Sequence, residues 1–491
     1  MLKILIYSYN YYPEPIGIAP LMTELAQGLV ARGHRVRVVT GMPNYPERQI
    51  YPAYRGKFYC TEILQGVQVQ RSYIMIRPNP GLLARMLLDG SFVVTSILHA
   101  LKGWRPDVIL YTSPPLPVSV PAVILGRIWR VPVVLNLQDI LPEAAIHVGL
   151  LRNRFAIQVF EALERFAYRQ ATGISVITKK FADNLVQKGI ETSKIVCIPN
   201  WVDVNFIRPL PIAENLFRQT YGLDDRFVVL YAGNIALTQG LETVIEAAYQ
   251  LQHLPNLAVV VVGETKALQR LQQYCQKRQS QALAASQALA DRQRSERDLS
   301  DRVVSHDGQE ARKSHLGLAG DEPAHRNPLD TDAPSTAEAR VGNLHFLPFQ
   351  PREQLPVMLA AADVGLIVQR RNVVSFNMPS KTQLLLASGR PIIASVPATG
   401  SAAQVVAQSQ GGLVVEPENA TALAEAITAL YHDRAYGQRL GHQGRQFALK
   451  HYSFEQALQS YEALFERLIK GEPIADPRIE APPQSSATNG S

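Results

Sequence analysis

The stretch NMPSKTQLLLASGRPIIAS, from Asn377 to Ser395, sets one lysine where a loop gives way to a short apolar helix and then a buried strand. Backbone N–H groups at a helix start bind phosphate oxygens, helped by small residues that allow close approach. Ser380 can cap this helix and Pro379 suits its entry, so Lys381 stands at the positive end of the helix dipole, which repels it. That placement makes sense if an anion binds between lysine and helix; the alternative is a solvent-facing lysine. Two other loops offer phosphate-binding chemistry. In YSYNYYPEPIGIAP, Gly17 is the only glycine before the first helix, and in YAGNIALTQGLET, Gly233 and Gly240 bracket a loop that opens a helix near Leu241. Neither is GxGxxG, and Glu264 is the only acid near the place of a ribose-binding carboxylate, which disfavours a nicotinamide enzyme. Arg370 and Arg371, in IVQRRN, are either further diphosphate ligands or surface charges.

Acid chemistry has its candidates in LQDILPEAAIH. Asp139 follows the apolar run VVLNLQ at the carboxyl end of a predicted strand, with Glu143 and His147 just beyond. A carboxylate there can accept a hydroxyl proton or stabilise an oxocarbenium-like state; the plainer alternatives are a helix cap by Asp139 and a surface glutamate. DTD at Asp330–Asp332 imitates a metal-binding acid pair but follows no strand, so no metal site is expected. RGH at Arg32–His34 reads as a helix end capped by Gly33.

The elements that position these residues repeat. LKILIYSYN, a loop, LMTELAQGLVARG and HRVRVVTG make a strand, loop, helix and strand; RFVVLYAGN, a loop, GLETVIEAAYQLQ and LAVVVVG repeat the order. Continuous apolar strands separated by amphipathic helices imply parallel sheets covered on both faces. The predicted fold is therefore α/β with two tandem Rossmann-like, doubly wound domains, 1–205 and 206–450, facing each other across a ligand-binding cleft. Residues 278–341 are poor in aromatics and are predicted to be a disordered insertion, 451–471 a helix packing back on the first domain, and 472–491 a disordered tail.

Bulk properties narrow the function. A chain of 491 residues with 46% hydrophobic and 19% charged residues supports two globular cores. Three scattered cysteines form no disulfide framework or zinc motif, and no secretory signal is apparent, which fits a cytoplasmic protein. The net charge of +7 is concentrated in residues 1–205, which hold 22 lysines and arginines against 13 acids. No nucleic-acid-binding signature accompanies this basicity, leaving anionic lipid or a phosphate-bearing substrate. Residues 81–104 are apolar but carry Arg85, Asp89 and His99, so they read as an amphipathic helix facing the core or a membrane surface rather than a span.

Several segments, in order, resemble family 4 glycosyltransferases of the GT-B fold: ELAQGLVARGHRVRVVTG, IPNWVDVNFIRP, YAGNIALTQGLETVIEAA, LHFLPFQPREQLPVMLAAADVGLIV, MPSKTQLLLASGRPIIAS and GGLVVEPENATALAEAI. PSK and PNWVD resemble bacterial exopolysaccharide enzymes, including colanic-acid-type fucosyltransferases. The resemblance implies a retaining, metal-independent transferase without a cofactor. The second domain would hold a GDP- or UDP-linked sugar donor and the first a polyprenyl-diphosphate-linked glycan acceptor, at the membrane surface. Gly233, Asn234, Gln239, Ser380 and Lys381 would bind donor, with Lys381 holding the departing diphosphate. It also marks departures. Leu384 stands where many members carry a ribose-binding glutamate, Asn234 and Gln239 where they carry arginine and lysine, and Gln138 where a histidine is frequent. A nucleotide-sugar epimerase and a non-catalytic nucleotide-sugar-binding partner are the alternative readings.

Overall fold

The computed structural model describes residues 1–479 apart from 16, 46, 78–81, 142, 144–145, 147–152, 305–338, 374–377 and 475. The first sheet comprises β1 (Lys3–Tyr7), β2 (Arg35–Gly41), β3 (Tyr59–Leu64), β4 (Val67–Ser72), β5 (Val108–Ser113), β6 (Val133–Leu137), β7 (Gly173–Val176) and β8 (Ile195–Cys197). Its order is β3-β4-β2-β1-β5-β6-β7-β8, parallel except for the edge strand β3. The second contains β9 (Phe227–Ala232), β10 (Leu257–Gly263), β11 (Ala339–Val341), β12 (Leu344–Pro348), β13 (Val364–Val368), β14 (Ile392–Ser395) and β15 (Gly412–Val415), in the order β11-β12-β10-β9-β13-β14-β15, with β11 the antiparallel edge. Both are doubly wound, as the alternating pattern predicts. In each, chain order reverses beside the first strand, between β1 and β5 and between β9 and β13, and ligands of such sheets collect outside the strand ends at that point.

The central strands β1, β5, β9, β10 and β13 are largely apolar because both faces are covered. Ile4 and Ile6 enter one core and Leu5 and Tyr7 the other; Val228 and Leu230 alternate in the same way with Val229 and Tyr231. Arg37, wholly buried in β2, donates to the carbonyls of Ala100 and Trp104, each at 2.7 Å, and so fixes the end of the helix Leu82–Leu101. Burial without a carboxylate pushes its pKa down to about 10.

The helix Phe454–Lys470 crosses back to the first domain. Its Leu458, Tyr461, Phe465 and Leu468 share a core with Met22, Leu25 and Leu29 of the helix Ala19–Ala31. Gly28 makes this approach possible, since a Cβ there would lie 2.5 Å from the Phe454 ring. Beyond it the chain is ordered further than the tail expectation held. Asp476 accepts from the Cys197 N–H at 2.7 Å and Arg478 donates to the Cys197 carbonyl, continuing the edge of β8; residues 480–491 lie outside the described part. The insertion also shrinks. Residues 278–304 belong to one continuous helix, Thr265–Val304, and Ala339–Val341 form β11. The helix is anchored through Cys275, which is buried, and Arg278, which lies 3.9 Å over the Tyr249 ring and 2.8 Å from Glu246. Asp330–Asp332 lie outside the described residues.

Candidate active site

A cavity of about 260 Å³ opens at the β9/β13 switch point. Gly233 and Asn234 from the end of β9, Gln239, and Ser380 and Lys381 at the start of the helix Lys381–Ser388 line it together, over an apolar floor that includes Leu355, Met358 and Leu384. Five positions singled out in the sequence thus converge. Lys381 Nζ is buried, has no hydrogen-bond partner among the described residues, and sits 3.7 Å above the Tyr231 ring. Desolvation by burial pushes its pKa down to about 7, so near neutrality the amine sits between charged and neutral forms. The Tyr231 hydroxyl stands within hydrogen-bonding reach of the Asn234 carbonyl, at 2.9 Å, and of the Gln239 side chain, and its single proton serves one of them, which fixes the loop around the amine. Gly233 takes φ +137°, a backbone angle that favours glycine, and its Cα faces the lysine amine, with a Cβ there falling 3.4 Å from Lys381 Nζ. Ser380 corrects one expectation. It adopts helical angles, makes no capping bond, and is exposed at the cavity.

A second cavity, about 290 Å³, opens at the β1/β5 switch point, where Tyr9, Asn10, Asn44, Arg48, Arg77 and Asp89 supply its polar groups. Its walls are joined by Glu14, which is buried. One carboxylate oxygen accepts the N–H groups of Asn44 and Tyr45 at 2.8 and 2.9 Å, and the other accepts from Asn10 Nδ2 at 2.7 Å. Sequence reasoning passed over these residues and Tyr231. For Tyr9, Asn10 and Asn44 the signal was a position just after a strand, whereas Tyr231 lies within β9 and Asp89 within a helix.

Two family models match the chain in tandem: a glycosyl transferase 4-like domain over residues 17–201 and glycosyl transferases group 1 over residues 298–433. Together they take in more than half of the chain, one model on each sheet-bearing domain. The chain is a glycosyltransferase of the GT-B fold. Among curated relatives, the putative colanic acid biosynthesis glycosyl transferase WcaI of Escherichia coli K12 is 28% identical over 87% of this chain and 91% of its own length. The probable glycosyltransferase WbjE of Pseudomonas aeruginosa is 23% identical over 67% and 64%. Among solved structures, sucrose-phosphate synthase from Thermosynechococcus elongatus aligns with a TM-score of 0.63 at 15% identity, over 96% of this chain and all of that one. Anabaena HepE, solved with UDP, aligns at 0.61 and 16%, over 95% and 100%.

Other candidates in this glycosyltransferase fall elsewhere. Gly17 takes φ +71° in an exposed turn and lines neither cavity. Arg370 and Arg371 also lie outside the Lys381 cavity and are held by acids: Arg370 by Glu242 and Glu418 at 3.0 and 3.1 Å, Arg371 by Glu416 at 2.8 Å. The sequence reading missed this because the partners come from distant segments. Exposed pairs of this kind contribute under about 1 kcal/mol, so Arg371→Ala is expected to leave the melting temperature and the donor KM nearly unchanged, within about twofold for KM; a tenfold rise in KM would return the side chain to the donor site. Glu143 is likewise engaged, 2.9 Å from Lys188 Nζ and accepting from Asn184 Nδ2 at 3.1 Å, and lines neither cavity. His147 lies outside the described residues. Gln138 is locked in an amide pair with Asn200, at 2.7 and 3.0 Å. Asp139 is half-buried at the end of β6, accepts the Ile140 N–H at 2.9 Å, and has its pKa raised by burial, but it lines neither cavity.

Proposed function

We propose that this glycosyltransferase moves a sugar from a nucleoside-diphosphate donor, held at the Lys381 cavity, onto a glycan carried on polyprenyl diphosphate and admitted at the first-domain cavity, in exopolysaccharide synthesis. The observation that carries the reading is Lys381 Nζ itself: a buried, unpartnered amine at a helix start, facing a cavity at a switch point. An unpaired buried cation is costly, and a diphosphate supplies the missing partner. As the glycosidic bond to phosphate breaks, negative charge accumulates on the departing oxygen, and the ammonium together with the free N–H groups of the helix start neutralises it without calling on a metal ion. Arg48 and Arg77, both lining the first cavity, supply the charge for an anionic acceptor. The resemblance to WcaI and the HepE–UDP complex support a sugar-nucleotide donor.

The test has two stages. Uridine, guanosine, adenosine and thymidine diphosphates are screened by thermal shift, where a ligand at 100 times its Kd stabilises by about 2.7 kcal/mol. The matching radiolabelled donor sugars are then incubated with polyprenyl-diphosphate glycans and the organic phase counted. Label is expected in the lipid only when acceptor is present. No stabilisation by any diphosphate, or conversion of donor without acceptor into an epimer, would overturn the proposal.

A further inference from the structure

The helices Leu82–Leu101, Ser119–Trp129 and Arg154–Gln170 lie side by side on one face of the first sheet, sending Phe92, Leu125 and Ala167 into the core. Their outer sides are not polar. Val94, Leu98 and Leu101 are 62, 56 and 43% exposed and spaced i, i+4, i+7, so they form one stripe. Ile124 and Ile128 repeat the i, i+4 spacing on the next helix, as do Phe155 and Val159 on the third. Single exposed aliphatic residues are ordinary, but aligned stripes on adjacent helices mark a surface that meets an apolar phase. No described helix is long and apolar enough to cross a membrane.

The charges around the stripes decide between occupants. Lys102, Arg105, Arg127, Arg130, Arg154 and Arg169 are exposed on these helices or the loops leaving them, whereas Glu161 of the same surface is 3.9 Å from Arg165. We infer that this three-helix face docks the protein onto an anionic bilayer, the aliphatic stripes entering the headgroup boundary and the cations meeting lipid phosphates. A second copy of the chain fits less well, since a two-fold interface would bring this cationic surface against itself. The first turns of the helix Leu82–Leu101 line the first cavity through Ala84, Leu88 and Asp89, and its last turns carry the stripe, so one helix joins the cavity to the docking face. The docking stands on this surface, and only its purpose, delivery of a lipid-linked acceptor, rests on the proposed function.

The experiment is co-sedimentation of the full chain with phosphatidylcholine vesicles, with and without about one third phosphatidylglycerol, at low and high salt. Wild type is expected to bind the anionic vesicles at low salt, with at least about tenfold weaker partition to neutral vesicles or at high salt. The triple variant V94S/L98S/I128S is expected to lose at least about tenfold of the anionic binding while keeping its thermal shift with a nucleoside diphosphate. Equal binding by variant and wild type, no binding by either, or a dimer that the triple variant dissociates would overturn the docking. The thermal shift reads the donor site separately, so a failed docking is not mistaken for a failed transferase reading.

Discussion

Lys381→Met is expected to lower turnover at least about a hundredfold and to raise the melting temperature of the ligand-free protein rather than lower it. The first effect follows from the geometry of a fixed donor: the Nζ stands above Tyr231 at the helix start, and nothing else charged among the described residues lines that cavity. The second follows from burial. The amine has no hydrogen-bond partner and its pKa is held down near 7, so the folded state bears the cost of an uncompensated charge. Methionine keeps the length and the contact with the Tyr231 ring and removes that cost. The sign can be checked by pH. Below pH 7 the lysine is charged in both folded and unfolded states and the penalty is complete; as pH rises toward the unfolded value of 10.5 it vanishes, because the folded protein has already shed the proton. The methionine variant should therefore gain most at or below neutrality, and the two melting curves should converge in alkali. Calorimetry across that range, beside steady-state kinetics, reads both effects. Wild-type turnover in the variant, or a lower melting temperature at pH 7, would remove Lys381 from its assigned role.

Nucleoside diphosphate affinity is expected to weaken with rising pH, by about tenfold per unit above pH 7. In the empty site the amine releases its proton near pH 7; beside a diphosphate the neighbouring negative charge restores the proton to much higher pH. Binding above neutrality then takes up one proton, and each unit of pH makes that proton about tenfold scarcer. Titration calorimetry between pH 7.5 and 9, in buffers of different ionisation enthalpy, measures slope and proton uptake together. Lys381→Met should show neither. A flat profile in the wild type would mean that the phosphates bind away from this nitrogen.

Much of this protein could be read along the chain. Two doubly wound sheets follow from apolar runs such as FVVLYA and LAVVVVG separated by amphipathic helices, because a strand buried on both faces must be apolar at every position. The gathering of Gly233, Asn234, Gln239, Ser380 and Lys381 was legible too, since each follows a strand or opens a helix, and strand ends of one parallel sheet share one edge. Side-chain environment was not legible. Arg370 and Lys381 are both cations near strand ends, yet one lies between Glu242 and Glu418 while the other rests unpartnered on Tyr231.

Residues 81–104 make the same point. Their alternation left core and membrane surface as rival destinations, and the folded helix has Phe92 inward and Val94, Leu98 and Leu101 outward, beside neighbours with matching stripes. Local order, strand identity and the direction of the chain were determined by the sequence, because periodicity and backbone sterics act over a few residues. Which charge finds a partner, and which apolar stripe finds a neighbour, was decided only by the tertiary structure, because those contacts join residues far apart in the chain.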